Sequence, residues 1–411
     1  MSRISLLLSL SLVIQFGLNL HAQEWPRFHG ANGAGVSSTK IPTSWTAKDY
    51  AWVIDLPGQG HSSPSLWGEK LFTTCADHKK AIQYFMCLDA NSGKVLWKKT
   101  HQSNNYHIHK FSSYASSTPA VNAKFVIFTW TTKESDMMLC LDHDGNEKWR
   151  IDFGPYDTQH GNGNSAMIHK GVVYYTHCHF GDSKIFALDV ETGKVLSSLD
   201  RNSAKPSHST PRVRVGANGK EEIVFTSDAH GVFALSPKDL KPLWESGDNT
   251  FSKRCVLSPV LVGNYVLGSC GSGGGGNYLV AIQPGRKAGE APTEVWRIKK
   301  AAPYVPTALA FKDSLFLIDD KGIATCVDPS DASIIWQQRL RANYFGSPVI
   351  AGDHLYIIAT TGDVHILDAS KTFKHHKIIP LGEKSYSTPA IANGHMYLRT
   401  YSQLFCLKGK E

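Results

Sequence analysis

Charge is what this sequence has least of: Asp, Glu, Lys and Arg make up 19% of its 411 residues. Its basic residues never run longer than a pair, as at Lys79-Lys80 and Lys98-Lys99. A nucleic-acid surface needs clustered cations, so the net charge of +8 reads as a solvated basic surface, and nucleic acid is not expected as a partner. Beyond the first twenty residues no apolar run approaches the ~20 residues of a membrane helix, so no membrane span is expected. There is no Gly-x-Ser-x-Gly elbow and no His-Glu-x-x-His helix, which removes two familiar routes to hydrolysis. The paired acids Glu221-Glu222 and Asp319-Asp320 fall at expected strand turns and read as solvated turn residues.

The one early apolar run has the layout of an export signal. Arg3 supplies the positive start, Leu6 to Ile14 the apolar stretch, and His21-Ala22 a small-residue stop. The expected division is a signal peptide over 1–22, an N-terminal extension over 23–49 and a repeat domain over 50–411. No cysteine stands at the cleavage site, so no lipid anchor is expected, and the destination is the periplasm or the exterior. Eight cysteines in an exported chain suggest disulfides, yet Cys87, Cys140, Cys326 and Cys406 share a repeat slot with Ala187 and Ala234. A slot shared by Cys and Ala is a small packing position. A Cys75–Cys87 bridge stays open.

The remainder is a repeat. A Ser/Thr-Pro anchor before a strand recurs at Pro64, Pro119, Pro211, Pro259, Pro348 and Pro389, with degenerate copies at Ala166 and Ala308. The spacing is that of a four-stranded propeller blade. Each copy then has Ala/Cys-Leu-Asp, a Gly- or Asn-bearing turn, and a tryptophan about eight residues on. Asp89 to Trp97 and Asp328 to Trp336 show it cleanly; Trp149, Trp244 and Trp296 follow with small changes, and Ser197 and His376 stand in the slot elsewhere. The indole is expected to pack on the neighbouring blade, with its N–H needing a partner. The last copy stops without an outer strand, while Tyr50–Leu56 offers a spare one with Trp52. The reading is an all-β, eight-bladed propeller whose N-terminal strand closes the ring.

On these residues the chain resembles the tryptophan-docking propellers related to quinoprotein alcohol dehydrogenases, and the BamB component of outer-membrane barrel assembly. The leader Trp25-Pro26-Arg27-Phe28-His29-Gly30 and the run Gly271–Gly276 also resemble exported PQQ-like repeat proteins. The quinoprotein resemblance implies pyrroloquinoline quinone (PQQ) with calcium at the ring centre, but this chain has no adjacent cysteines and few acids in its anchor loops. Neither cofactor is expected.

Those loops instead carry His61, Tyr114, His160, Asn162, His208, Arg254, Tyr304, Tyr344 and Tyr386, placed by the repeat around one channel mouth. Such a ring could hold a sugar, a quinone or a peptide, or simply brace neighbouring blades. The expected function is an exported, non-catalytic propeller binding a protein, a small molecule or a carbohydrate. The alternative is a PQQ- and calcium-dependent oxidoreductase; a carbohydrate-active enzyme is a weaker third. His177 and His179, two apart on one strand, are weak metal candidates. The run Gly271–Gly276 lacks the helix that a phosphate loop needs.

Overall fold

The computed structural model describes residues 24–285 and 290–410; the expected signal segment and its cleavage point lie outside them. Eight antiparallel sheets follow one another, at 65–102, 120–152, 167–200, 212–245, 260–298, 309–339, 349–380 and 390–408. We number them blades 1 to 8. The strand Tyr50–Asp55 completes blade 8 beside Gln403–Lys408, with Trp52 opposite Cys406. Among the described residues helix is confined to two three-residue turns, and none of it could cross a membrane.

The seams explain the repeat. Trp97, Trp149, Trp336 and Trp52 face Cys87, Cys140, Cys326 and Cys406 across their own sheets, and Trp244 and Trp296 face Ala234 and Ala281. A small residue there leaves room for the ring. Each indole N–H then reaches a carbonyl of the next blade's turn: Trp52 to Ala90, Trp97 to His143, Trp149 to Val190, Trp296 to Pro329 and Trp336 to Ser370, at 2.9–3.0 Å. The receiving turn is held close. A β-carbon on Gly93 or Gly193 would meet the Trp52 or Trp149 ring at 2.7–2.8 Å, and both glycines have positive φ. Glycine is needed there for both reasons.

Three seams depart from this scheme. Trp244 turns its N–H onto Glu222 Oε2 at 3.0 Å, within its own blade. Glu222 is therefore a buried residue, also paired with Arg214 at 2.7 Å, and not a solvated turn acid. Strand alternation explains the correction: Glu221 faces outward to His169 and Lys170 while its neighbour faces in. In blade 3 Ser197 replaces the indole and donates its hydroxyl to Asp239 O at 2.9 Å. Leu240, fully buried and at φ 55°, occupies the turn position that Gly93 and Gly193 hold in blades 1 and 3 and packs with Tyr174 and Ala187. Blade 7 has no indole at all.

The N-terminal extension has a role that its sequence pattern did not announce. Trp25 pairs with Leu66 of blade 1, and Pro26 O accepts Val121 N of blade 2. Arg27 donates to Pro211 O and Asn32 bonds Val213 in both directions, all on blade 4. His29 reaches Pro348 O at 2.7 Å, and Val36–Ser37 adds a parallel strand to blade 7. A segment bonded to the innermost strands of blades 1, 2, 4 and 7 has to cross the channel. Gly30 permits the crossing, since a β-carbon there would strike the Trp25 ring at 2.7 Å.

All eight cysteines are buried and unbridged. Cys75 faces Tyr84 and Cys87 faces Phe72, so the Cys75–Cys87 bridge is not made.

Candidate functional site

The anchor loops of the blades surround a cavity of about 870 Å³. Its lining includes Phe28, which comes from the crossing N-terminal segment. The cavity is thus a funnel with a floor at that end of the channel. Of the loop residues singled out in the sequence, His61, His160, His208, Arg254, Tyr304 and Tyr386 line it.

Tyr114, Asn162 and Tyr344 do not. Tyr114 stacks between His78 and Tyr106, with ring centroids 4.7 and 4.9 Å away. Asn162 is buried and bonds Tyr175 Oη at 2.8 Å. Tyr344 is fully buried against His365, and its neighbour Phe345 faces the cavity instead. These three brace the loops. His109, Phe111, Phe345 and Asp320 are lining residues that the repeat reading missed.

One wall is polar. Arg254 Nη1 donates to His160 Nε2 at 3.2 Å, and His160 Nδ1 lies 3.1 Å from Ser112 Oγ. A guanidinium cannot accept, so Nε2 is the acceptor and Nδ1 carries the proton. Neither ring nitrogen of His208 has a protein partner, and Arg254 Nε has none either. Burial, then Arg254, holds His160 down at about 4 and His208 at about 3, so both rings are neutral near pH 7. His61 is held at about 3 by burial and then Arg399. This wall therefore offers the Arg254 cation flanked by neutral rings, and Lys299 and Lys321 also line the cavity.

Another part of the lining is aromatic. Phe345 lies 5.2 Å from Phe111 and 4.8 Å from Tyr386, and Tyr386 lies 4.8 Å from His61, centroid to centroid. The edge-to-face angles of the two Phe345 contacts are favourable ring geometry. Phe111 remains 44% exposed, so this wall has apolar surface still free for a ligand.

Asp319 and Asp320 are the carboxylates of the lining. Asp319 Oδ1 accepts Lys321 N and Ile323 N in its own turn. Asp320 accepts Tyr304 N at 2.8 Å and Val305 N at 3.2 Å, and burial raises it to about 6. It is a bracing group, not the solvated turn acid expected. Calcium takes roughly 6–8 oxygen ligands, several of them carboxylates. With both carboxylates engaged and Arg254 on the same wall, the residues present do not fit a calcium ion beside a quinone.

Of the two strand histidines His177 and His179, the first is engaged within the protein. His177 Nδ1 lies 2.7 Å from Asp136 Oδ2, and Tyr175 Oη donates to the same carboxylate at 2.8 Å. Asp136 is fully buried, and burial raises its pKa despite His177. The pair is an internal bond between blades 2 and 3.

Fold and funnel together define a PQQ-like eight-bladed propeller. A family model described as outer membrane protein assembly factor BamB matches residues 44–216, 83–292 and 287–377, and the chain belongs to that family. Among solved structures, BamB from Moraxella catarrhalis is similar at 12% identity and a TM-score of 0.61, over 88% of this chain and 98% of that one. A europium-containing methanol dehydrogenase is similar at 11% identity and 0.65, over 92% and 90%. Quinohemoprotein alcohol dehydrogenase from Comamonas testosteroni is similar at 12% and 0.67, over 95% and 81%. At such identities these likenesses concern the fold. No curated protein matches by sequence.

Proposed function

We propose that this chain is an exported, non-catalytic binding propeller whose funnel takes a ligand with an apolar or aromatic body and an acidic or strongly accepting group. The observation that carries this is the pairing of two unlike walls. Arg254 and His208 keep unpartnered N–H or ring-nitrogen positions in one part of the lining, and the Phe111–Phe345–Tyr386 cluster forms another. Buried polar groups without partners are uncommon in a finished structure, and a pocket with few converging polar groups and an apolar wall is the usual form of a ligand site. A small acid, an acidic sugar or the side chains of a partner's loop meets that description. The family's description as an assembly factor supports a protein partner. Export rests on Arg3, the Leu6–Ile14 run and Ala22.

The test is thermal melting of the chain beginning at Gln23 against acidic sugars, acidic peptides, and PQQ with calcium. Binding to the native state raises the melting temperature by mass action. Arg254→Ala is expected to abolish the shift of whichever acid binds. Dye reduction with simple alcohols on adding PQQ and calcium would overturn this reading in favour of a dehydrogenase. So would shifts that Arg254→Ala leaves intact.

A further inference from the structure

Blade 7 departs from its neighbours in how it uses the aspartate of its turn. Elsewhere that aspartate caps its own turn: Asp89 Oδ1 accepts Ser92 N, Asp189 accepts Thr192 N, and Asp328 accepts Ser330 N. In blade 7 the turn is longer, with Asp368 N donating six residues on, to Lys374 O, where Asp89 N donates five on, to Lys94 O. Ser370 Oγ takes over the capping and accepts Thr372 N. The Asp368 carboxylate is released from the turn, and two imidazoles meet it.

His376 Nε2 lies 2.5 Å from Asp368 Oδ1, and His354 Nε2 lies 3.4 Å from the same oxygen. All three donor atoms fall within 4.8 Å of one another. They come from three adjacent strands, with His354 directly opposite Asp368 in register, so the sheet fixes their relative positions. The side chains are 31%, 27% and 15% exposed for His354, Asp368 and His376, so water reaches the site. The other charges nearby are Asp353, Lys374 and Lys40; Asp353 is paired with Lys312 at 3.0 Å.

We propose that His354, Asp368 and His376 bind a divalent transition-metal ion of the zinc type, with water in the remaining position. Two imidazoles and one carboxylate are a donor set such ions favour. Donors about 2.0–2.1 Å from a tetrahedral ion stand roughly 3.4 Å apart, the spacing His354 and Asp368 already have. On uptake the His376 ring proton moves from Nε2 to Nδ1, the Nε2 lone pair turns to the ion, and the short contact to Asp368 opens. The ion would tie together three strands of the blade that has no docking indole. This proposal stands apart from the funnel and does not depend on what the funnel binds.

The untagged chain, stripped with EDTA, is titrated with Co²⁺ as a spectroscopic probe and then with Zn²⁺. The expected result is saturable uptake of one Co²⁺ per chain, with visible absorption bands that Zn²⁺ abolishes. His354→Ala and His376→Ala should each weaken binding at least tenfold, while Arg254→Ala leaves it unchanged. Should either alanine variant fail to fold, as read by circular dichroism, His376→Gln and Asp368→Asn serve in the same titration. Absence of one-to-one uptake in the wild type overturns the proposal, as does uptake that survives these substitutions.

Discussion

The seams between blades and the channel they enclose are stabilised on opposite terms. At a seam, an indole is buried, its single N–H finds a carbonyl, and nothing polar is left over. In the channel, Arg27 and Arg212 are both buried, and no carboxylate offsets them: burial first, and then Arg212, lowers Arg27 to about 9. Arg27 Nε and Nη1 have no protein partner. The seams supply the stability with which the channel can hold groups that stability alone would not select. Of the groups left wanting partners, Arg254 Nε and His208 belong to residues that line the funnel, which is where the ligand proposed above would meet them.

The comparison breaks first at the closing seam. Trp52 is buried, bonds Ala90 O, stands 6.0 Å from the Tyr397 ring and joins strands from opposite ends of the chain. Trp52→Ala should remove about 3–5 kcal/mol of stability, the range for emptying a large aromatic site, measured by urea denaturation. A loss below 1 kcal/mol would mean that the ring is held shut by something other than the indole.

The channel side is sharpened by acid. His29 is fully buried, and burial lowers it to about 4 from 6.5. Its folded value is depressed, so the native state refuses a proton that the unfolded chain accepts. The stability is whole above pH 6.5 and is lost as pH falls through 4. For His29 alone the loss is about 2 kcal/mol by pH 5. Comparing unfolding free energies at pH 8 and pH 5, His29→Gln should flatten the slope by that amount. An unchanged slope would show that the crossing segment opens before it is titrated.

The two regions were also unequally legible in the sequence. A seam writes itself at a fixed interval, so Asp89 to Trp97 and Asp328 to Trp336 disclosed the blades, and the small residue facing each indole was visible as a shared Cys/Ala slot. The funnel has no interval. Its residues converge from several loops and from the segment bearing Phe28, which has no periodic pattern to mark it as a floor. Even within a loop, alternation decides which neighbour faces in: the repeat points to Tyr344, whereas Phe345 lines the cavity. The same single-residue error made Glu222 look like its solvated neighbour Glu221. What the sequence could not convey was the direction of individual side chains at the ends of strands.

The smallest expected effect tests whether a seam can be rebuilt. The blade 3–4 seam replaces an indole with Ser197 and fills the space with Leu240; the turn carbonyl an indole N–H would reach, Pro237 O, accepts Tyr174 Oη at 2.8 Å, while Ser197 donates to Asp239 O. Ser197→Ala should lose about 1 kcal/mol, the net value of one such bond. Ser197→Trp should lose more, because Leu240 already occupies the site and an overfilled core is strained. Adding Leu240→Gly should recover part of that loss, since glycine tolerates the φ of 55° at this turn and vacates the space. A favourable coupling between the two substitutions in a denaturation cycle would show that serine and leucine replaced tryptophan and glycine as a unit. Strict additivity would show instead that Leu240 belongs to the core of its own blade and that the seam never depended on it.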